Sequence, residues 1–303
     1  MWHPPSGIRK VPVTELESNV NPEDRYSGPN ALTVDVEDYF QVSAFAPYVD
    51  RNRWSTHEVR VEKNMDRILE LFSHAGVTGT FFFLGWIAER FPAMLRRVAE
   101  QGHEIASHGY DHVQVCSQDE QAFRQDVERT RRVLEDISGV SVHGYRAASF
   151  SIGPETPWAY DVLAETGHTY SSSINPIRHD RYGAREAPRF PHNKDSAGLP
   201  ELPVATVELS GMRLPCGGGG FFRLLPYAWS KWCIHRINNV DRQPAIFYFH
   251  PWEIDDAQPK ITGLDARSKF RHYVNLKHTE KKLGRLLQDF SWTTVKDAFK
   301  GVI

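Results

Sequence analysis

Gly79-Thr80-Phe81-Phe82-Phe83-Leu84 decides the fold. The run is too short for a helix, is dominated by aromatic side chains, and shows no polar alternation. That pattern fits a strand buried on both faces, as in a parallel sheet covered by helices. Its neighbours agree. Upstream, Val61, Met65, Ile68, Leu69 and Phe72 recur at helical spacing and stop at Gly76, and before them Ala31 to Val36 reads as a strand. Downstream, Pro92 opens a helix through Met94, Leu95 and Val98 that Gly102 ends, and Glu104 to Ser107 reads as the next strand.

The rhythm continues. Phe123, Val127, Leu134 and Ile137 mark one face of a long helix ended by Gly139, followed by a strand and its loop from Val142 to Phe150. Thr156 to Glu165 predicts a helix stopped at Gly167, and Thr169 to Ile174 a strand. Residues 175–200, rich in Pro, Arg, His and Asp, break the pattern and read as a loop insertion. Leu202 to Leu209 and Met212 to Leu214 predict a hairpin turning at Ser210-Gly211. Gly217 to Gly220 predicts a flexible turn near the cleft, without the lysine or spacing of a phosphate loop. A helix over Leu225 to Asn238, a strand over Ala245 to His250, one helix over about 270–290 and a last strand, Trp292 to Val295, close the chain.

Repeated β-α units predict an α/β fold with a parallel sheet. Chemically capable residues stand at or just after several strands: Asp35 to Asp38, His108 to His112, Arg146 and His250. So many strands feeding one site favour a closed (β/α) barrel over an open doubly wound sheet. Residues 1–29 are polar, proline-bearing and aperiodic, and read as an arm or tail. Residues 30–303 read as one barrel carrying the 175–200 insertion.

Composition narrows the function. The 303 residues carry 24% charged side chains and a net charge of -2, which gives no electrostatic ground for nucleic-acid binding. Cys116, Cys216 and Cys233 are odd in number and lack paired spacing, so neither a disulfide scaffold nor a CxxC metal site is expected. No segment reaches the roughly 18 apolar residues of a membrane span, and no signal-peptide pattern opens the sequence, so a cytoplasmic location is the expectation.

Ser107-His108-Gly109-Tyr110-Asp111-His112 places two imidazoles four residues apart behind a strand, and Asp35-Val36-Glu37-Asp38 puts three carboxylates at the end of another. Two imidazoles and one carboxylate are the ligand set of a catalytic metal site that keeps a position open. A spare carboxylate beside it suits a water-activating base. The pattern points to metal-assisted hydrolysis, with Glu37 and Asp38 both open as the third ligand.

The segments LTVDVEDYF, GTFFFLG, GHEIASHGYDH, GYRAASFS and FYFHPWE occur in this order. Together they resemble the polysaccharide deacetylases (the NodB-homology carbohydrate esterases), over about residues 31–300. The D-V-E-D-[WY]-F form of the first motif resembles the subgroup found with exosortase-linked exopolysaccharide loci. The resemblance implies an α/β fold, a distorted (β/α) barrel of about seven strands, and metal-dependent removal of acetyl groups from an acetylated glycan, in exopolysaccharide biosynthesis for that subgroup. It implies Zn²⁺ at the site, with Co²⁺, Ni²⁺ or Mn²⁺ able to take the same ligands.

By the same resemblance, Asp35 is the base, and His108 and His112 bind the metal with Glu37, favoured, or Asp38. Arg146 pairs with the base, and His250 is the acid that protonates the departing amine. Tyr145, Phe150 and Trp252 are expected at the substrate. Asp111 is a candidate partner of a ligand imidazole, Asp161 a candidate orienter of His250, and Tyr170-Ser171-Ser172-Ser173 candidate sugar contacts. Related barrels that hydrolyse small cyclic amides, and non-catalytic glycan-binding relatives, are the alternatives.

Overall fold

In the computed structural model, residues 26–179, 183–194 and 198–303 are described. Residues 1–25 of the expected arm lie outside them, as do 180–182 and 195–197 of the expected insertion. The elements in chain order are β1 (Asn30–Val36), α1 (Val61–Ala75), β2 (Thr80–Phe83), α2 (Gly85–Arg90), α3 (Pro92–Glu100), β3 (Glu104–Ser107), α4 (Glu120–Ser138), β4 (Gly144–Tyr145), α5 (Trp158–Glu165) and β5 (Tyr170–Ser171). There follow β6 (His192–Lys194), β7 (Leu199–Glu201), β8 (Thr206–Leu209), β9 (Met212–Pro215), α6 (Gly219–Leu224), α7 (Tyr227–Arg236), β10 (Ile246–Phe249), α8 (Ala266–Tyr273), α9 (Leu276–Asp289), β11 (Trp292–Thr293) and α10 (Val295–Ala298).

The main sheet runs β10-β1-β2-β3-β4-β5-β7-β6, with β11 added beside β1. Every neighbouring pair from β10 to β7 is parallel, and only β6 is antiparallel. The sheet curls without a continuous closing ladder. Two backbone hydrogen bonds cross towards β10 instead, from Ala205 N to Ile246 O at 3.0 Å and from Tyr248 N to Gly217 O at 2.7 Å. This is the distorted (β/α) barrel that the resemblance implies, open where the β-α alternation alone predicts closure.

Strand alternation separates two cores. Leu32, Val34, Val36, Phe81 and Phe83 point outward into the layer of helices, against α1 residues such as Met65, Ile68 and Phe72. Ala31, Phe82, Ala106, Tyr170, Ile246 and Tyr248 point inward. The apolar run is thus buried on both sides because Phe82 fills the barrel while its neighbours meet helices. Near the inner floor, a Cβ on Gly144 would stand 2.2 Å from the Tyr170 hydroxyl, so only glycine lets that ring in.

Some expectations need correction. Asn275 adopts a left-handed backbone (φ 54°) and splits the helix expected over 270–290 into α8 and α9. The expected strand Thr169–Ile174 is regular only over Tyr170–Ser171. Within the expected insertion, β6 and β7 extend the sheet. The glycine run is no flexible turn: Gly218 bridges to Tyr248, and a Cβ there would lie 1.8 Å from the Tyr248 carbonyl oxygen. Gly219 already begins α6. Among the described residues, no helix is long and apolar enough to cross a membrane.

Candidate active site

The carboxyl ends of β1, β3, β4 and β10 converge on one cavity of about 490 Å³. Asp35, inward-pointing near the end of β1, is 2% exposed, and Arg146 immediately after β4 is 0% exposed. Arg146 Nη1 donates to Asp35 Oδ1 at 2.6 Å and to Thr33 Oγ1 at 2.7 Å. Its Nε donates to Ser172 O at 3.0 Å and its Nη2 to Ser172 Oγ at 2.9 Å. Burial pushes the Asp35 carboxyl up, but Arg146, followed by His108 and His250, outweighs it and holds the group below the usual carboxylate range. The serine run expected to meet sugar is fully buried behind this pair. Ser172 anchors Arg146, and Ser173 Oγ accepts from Ala147 N at 2.9 Å.

Beyond β1 the chain turns sharply, with Glu37 N donating to Asp35 O at 3.0 Å. Glu37 still comes inward. One atom each from Glu37, His108 and His112 lies within 4.8 Å of the others. Asp38, the other candidate ligand, turns away: its Oδ1 accepts from Tyr39 N at 2.8 Å, and its Oδ2 from Arg60 N at 2.7 Å and Val61 N at 3.0 Å. It closes the N-terminus of α1 instead of facing the imidazoles.

The three clustered groups fit a divalent ion. His108 Nδ1 donates to Arg146 O at 2.8 Å, which fixes the tautomer and leaves Nε2 as a lone pair. Burial lowers the pKa of both imidazoles, that of His112 strongly, so both are neutral ligands. Glu37 Oε2 is buried without a hydrogen-bond donor and stands 3.3 Å from His112 Nε2. Burial pushes this carboxyl up to about 8, with His250 opposing the rise. Such a charge needs a cation to be stable at neutral pH.

Local backbone supports the ligands. His112 has φ 58°, and Arg51 holds its loop by donating to Asp111 O and His112 O, each at 3.0 Å. His112 Nδ1 lies 3.3 Å from Ser43 Oγ, which accepts from Ser149 Oγ at 2.7 Å. The imidazole partners are therefore the Arg146 carbonyl for His108 and the Gln41 backbone and Ser43 hydroxyl for His112, rather than Asp111.

His250 follows β10, with its Nε2 3.1 Å from Glu37 Oε1 and 4.0 Å from Asp35 Oδ2. Its Nδ1 is 2.7 Å from Glu253 Oε1. Burial lowers the His250 pKa, but Glu37 and Glu253 outweigh it and lift it to about 9. The orienting acid is Glu253, not Asp161, which sits in α5. Arg223 of α6 stands 3.6 Å from the far side of Glu253 and is itself held by the carbonyls of Arg271 and His272. The sequence signal for Glu253 was available in His250-Pro251-Trp252-Glu253. Proline opens a 3-10 turn over Pro251–Ile254, and such a turn places residues three apart above one another.

Of the expected substrate residues, Phe150 and Trp252 line the cavity, and Trp252 stacks on His250 with ring centroids 5.2 Å apart. Tyr145 does not line it. Arg146 points inward, so its neighbour Tyr145 points outward, 5.6 Å from Phe123 and 5.8 Å from His168 between ring centroids.

Residues 50–171 match the polysaccharide deacetylase family model. Over that segment the chain is similar to the polysaccharide deacetylases. Residues 172–300 match a second model, a domain of unknown function, DUF3473. His108, His112 and Arg146 fall in the deacetylase segment, whereas His250, Glu253 and Arg223 fall in the second.

A peptidoglycan-N-acetylglucosamine deacetylase from Bacillus cereus is 34% identical over 73 residues, 24% of this chain and 26% of that protein. A chitooligosaccharide deacetylase from Sinorhizobium fredii is 29% identical over 109 residues, covering 36% of this chain and 48% of that one. The matches thus span less than half of these relatives. The crystal structure of a Mycobacterium smegmatis protein assigned to the polysaccharide deacetylases shares the fold, with a TM-score of 0.57 and 20% identity over 93% of this chain and 94% of that one.

Proposed function

We propose that the protein is a metal-dependent deacetylase, hydrolysing N-acetyl groups of an N-acetylhexosamine-containing polysaccharide or oligosaccharide. One observation carries the reading. An Arg146-paired Asp35 and a Glu253-paired His250 flank the same Glu37–His108–His112 cluster, 2.6 and 2.7 Å from their respective partners. That is a base, an acid and a metal-type ligand set in one cavity.

Glu37, His108 and His112 hold the ion, and two imidazoles with one carboxylate favour Zn²⁺. A bound divalent ion supplies carbonyl polarisation and a more acidic water. Asp35, kept ionised by Arg146, takes a proton from the attacking water. His250, protonated and aligned by Glu253, gives its proton to the amine as the C–N bond breaks. Acetate and a free amino sugar leave. The D-V-E-D-Y-F form of the first motif supports a place in exopolysaccharide biosynthesis, and the names of the Bacillus and Sinorhizobium relatives support an acetamido-sugar substrate.

The test is acetate release from N-acetylated chitooligosaccharides by protein loaded with one equivalent of Zn²⁺, beside a chelated control. Metal-dependent release is the expected result. Stoichiometric metal binding without release of acetate from any acetamido sugar would overturn the reading.

A further inference from the structure

Arg146 and Arg223 are both buried. A buried guanidinium is costly unless its charge and its donors are met. Asp35 and the groups around it account for Arg146. Arg223 lines the same cavity, and its surroundings divide into two.

Its outer edge meets the end of a helix. Nη1 donates to His272 O and, at 3.4 Å, to Val274 O, and Nη2 donates to Arg271 O at 3.0 Å. Residues 271 and 272 lie in the last turn of α8, where carbonyls lack helical donors and carry the negative end of the helix dipole. Asn275, just beyond, donates back from Nδ2 to Arg223 O at 3.0 Å. The guanidinium is therefore fixed to backbone.

Its inner edge faces the acid. Arg223 Nε stands 3.6 Å from Glu253 Oε2, and among the described residues neither of these buried atoms has a hydrogen-bond partner. The other oxygen of Glu253, Oε1, is the one 2.7 Å from His250 Nδ1. The guanidinium carbon also lies 4.9 Å from the centre of the Trp252 ring, which stacks on His250. Capping α8 accounts for Nη1 and Nη2. It leaves unexplained why the remaining edge is turned to a buried carboxylate that is itself bound to His250.

We propose that Arg223 is a positioning residue for the acid: its fork, anchored on the end of α8, holds Glu253 so that His250 keeps its Nε2 edge towards the departing amine. The inference rests on the deacetylase reading and adds to it a residue that acts through Glu253. A carboxylate engaged at one oxygen turns readily about its terminal torsion, whose energy well is broad. An opposite charge at the second oxygen removes that freedom. Lysine is a poor substitute, because a single ammonium cannot serve two carbonyls and a carboxylate along separate edges in fixed geometry.

The experiment measures kcat/KM of metal-loaded protein on an N-acetylated chitooligosaccharide and on an aryl acetate. The proteins are wild type, Arg223→Met, Arg223→Lys, Glu253→Gln and the double variant Arg223→Met/Glu253→Gln. The quantity read is the amide-to-ester ratio, because only the amine needs a proton to leave, whereas loss of folded protein or of metal lowers both rates together. Arg223→Met is expected to lower the ratio by about 10–100-fold, the range for a group that orients another. Arg223→Lys should lower it by a smaller factor, at least about threefold. In the double variant the ratio should stay within about threefold of Glu253→Gln alone, because Arg223 then has nothing to act through. An unchanged ratio in Arg223→Met, or two losses that multiply in the double variant, would overturn the proposal and leave the deacetylase reading standing. If Arg223→Met does not fold, Arg223→Lys decides, and a ratio equal to that of wild type overturns the proposal. Acetate release by wild type from no acetamido sugar, with metal bound, would remove the deacetylase reading and this inference together.

Discussion

Replacing Arg146 by methionine isolates what the buried guanidinium does. Methionine is unbranched, so most of the space remains filled, but four hydrogen bonds disappear: those to Asp35, to Thr33 and two to Ser172. Asp35 is then a buried carboxylate without its cation. Removing one member of a buried pair costs about 3–5 kcal/mol, because the remaining charge is uncompensated. Burial is also the largest influence on Asp35 and acts upward, so without the opposing charge of Arg146 its pKa rises.

The sign for catalysis follows. On the proposed reading Asp35 is a base that works when ionised, so activity is lost as pH falls through its pKa, and a raised pKa moves that acid limb to higher pH. Metal affinity should change little, since His108 is held by the backbone carbonyl of residue 146, which every substitution retains. The assays are urea unfolding for stability, kcat/KM against pH for the limb, and zinc titration as the control. A stability loss below about 1 kcal/mol, the range of an exposed pair, together with an unmoved acid limb, would refute the reasoning.

Further outcomes follow from the same geometry. Glu37→Gln is expected to lose the metal, whereas Asp38→Asn keeps it and loses about 1–2 kcal/mol of stability at the start of α1; metal titration and unfolding of both variants check this, and the reverse pattern would exchange their roles. Glu253→Gln should slow hydrolysis of an N-acetyl sugar by about 10²-fold but an aryl acetate far less, because only the amine needs protonation to leave; equal losses would mean that His250 does not act as the acid. Lowering the pH through the Glu37 value of about 8 should weaken zinc binding, because the proton and the ion compete for the same buried carboxylate; a binding constant flat between pH 9 and about 6 would exclude that competition. Gly218→Ala should destabilise by more than about 2 kcal/mol, since a Cβ collides with the Tyr248 carbonyl at a φ of +124°; an unchanged unfolding midpoint would show that the β10 crossing gives way.

The fold was legible wherever hydrophobic pattern and terminator residues agree. Gly76 and Gly139 sit in the left-handed cap positions the sequence predicts for them, ending α1 and α4. The pattern failed where the backbone departs from its local signal. Asn275 interrupts an otherwise helical stretch through a conformation that asparagine tolerates, and nothing in the apolar spacing marks it. The second half of the barrel was harder still. There β5 and β7 are short, and the sheet is carried across to β10 by isolated hydrogen bonds that leave no periodicity to read.

The site divides along the same line. Asp35, Glu37, His108, His112, Arg146 and His250 were legible because each stands at the end of a recognisable strand, where a barrel gathers its chemistry. The groups that hold them were not. Ser172, Glu253 and Arg223 act through contacts between elements far apart in sequence, or through a turn whose geometry must be applied to be seen. Tyr145 was misplaced for a related reason. Its neighbour Arg146 has to enter the barrel to meet Asp35, and alternation then sends Tyr145 to the helices. The clustered side chains are announced by local sequence, whereas Ser172, Glu253 and Arg223, which hold Arg146 and His250, are set by packing. The first half of the chain supplies Asp35, Arg146 and the Glu37–His108–His112 cluster, and the second supplies His250 and Glu253. On the proposed reading, changes at His250 or Glu253 should therefore alter turnover before they alter whether metal binds, because every member of the ligand cluster lies in the first half.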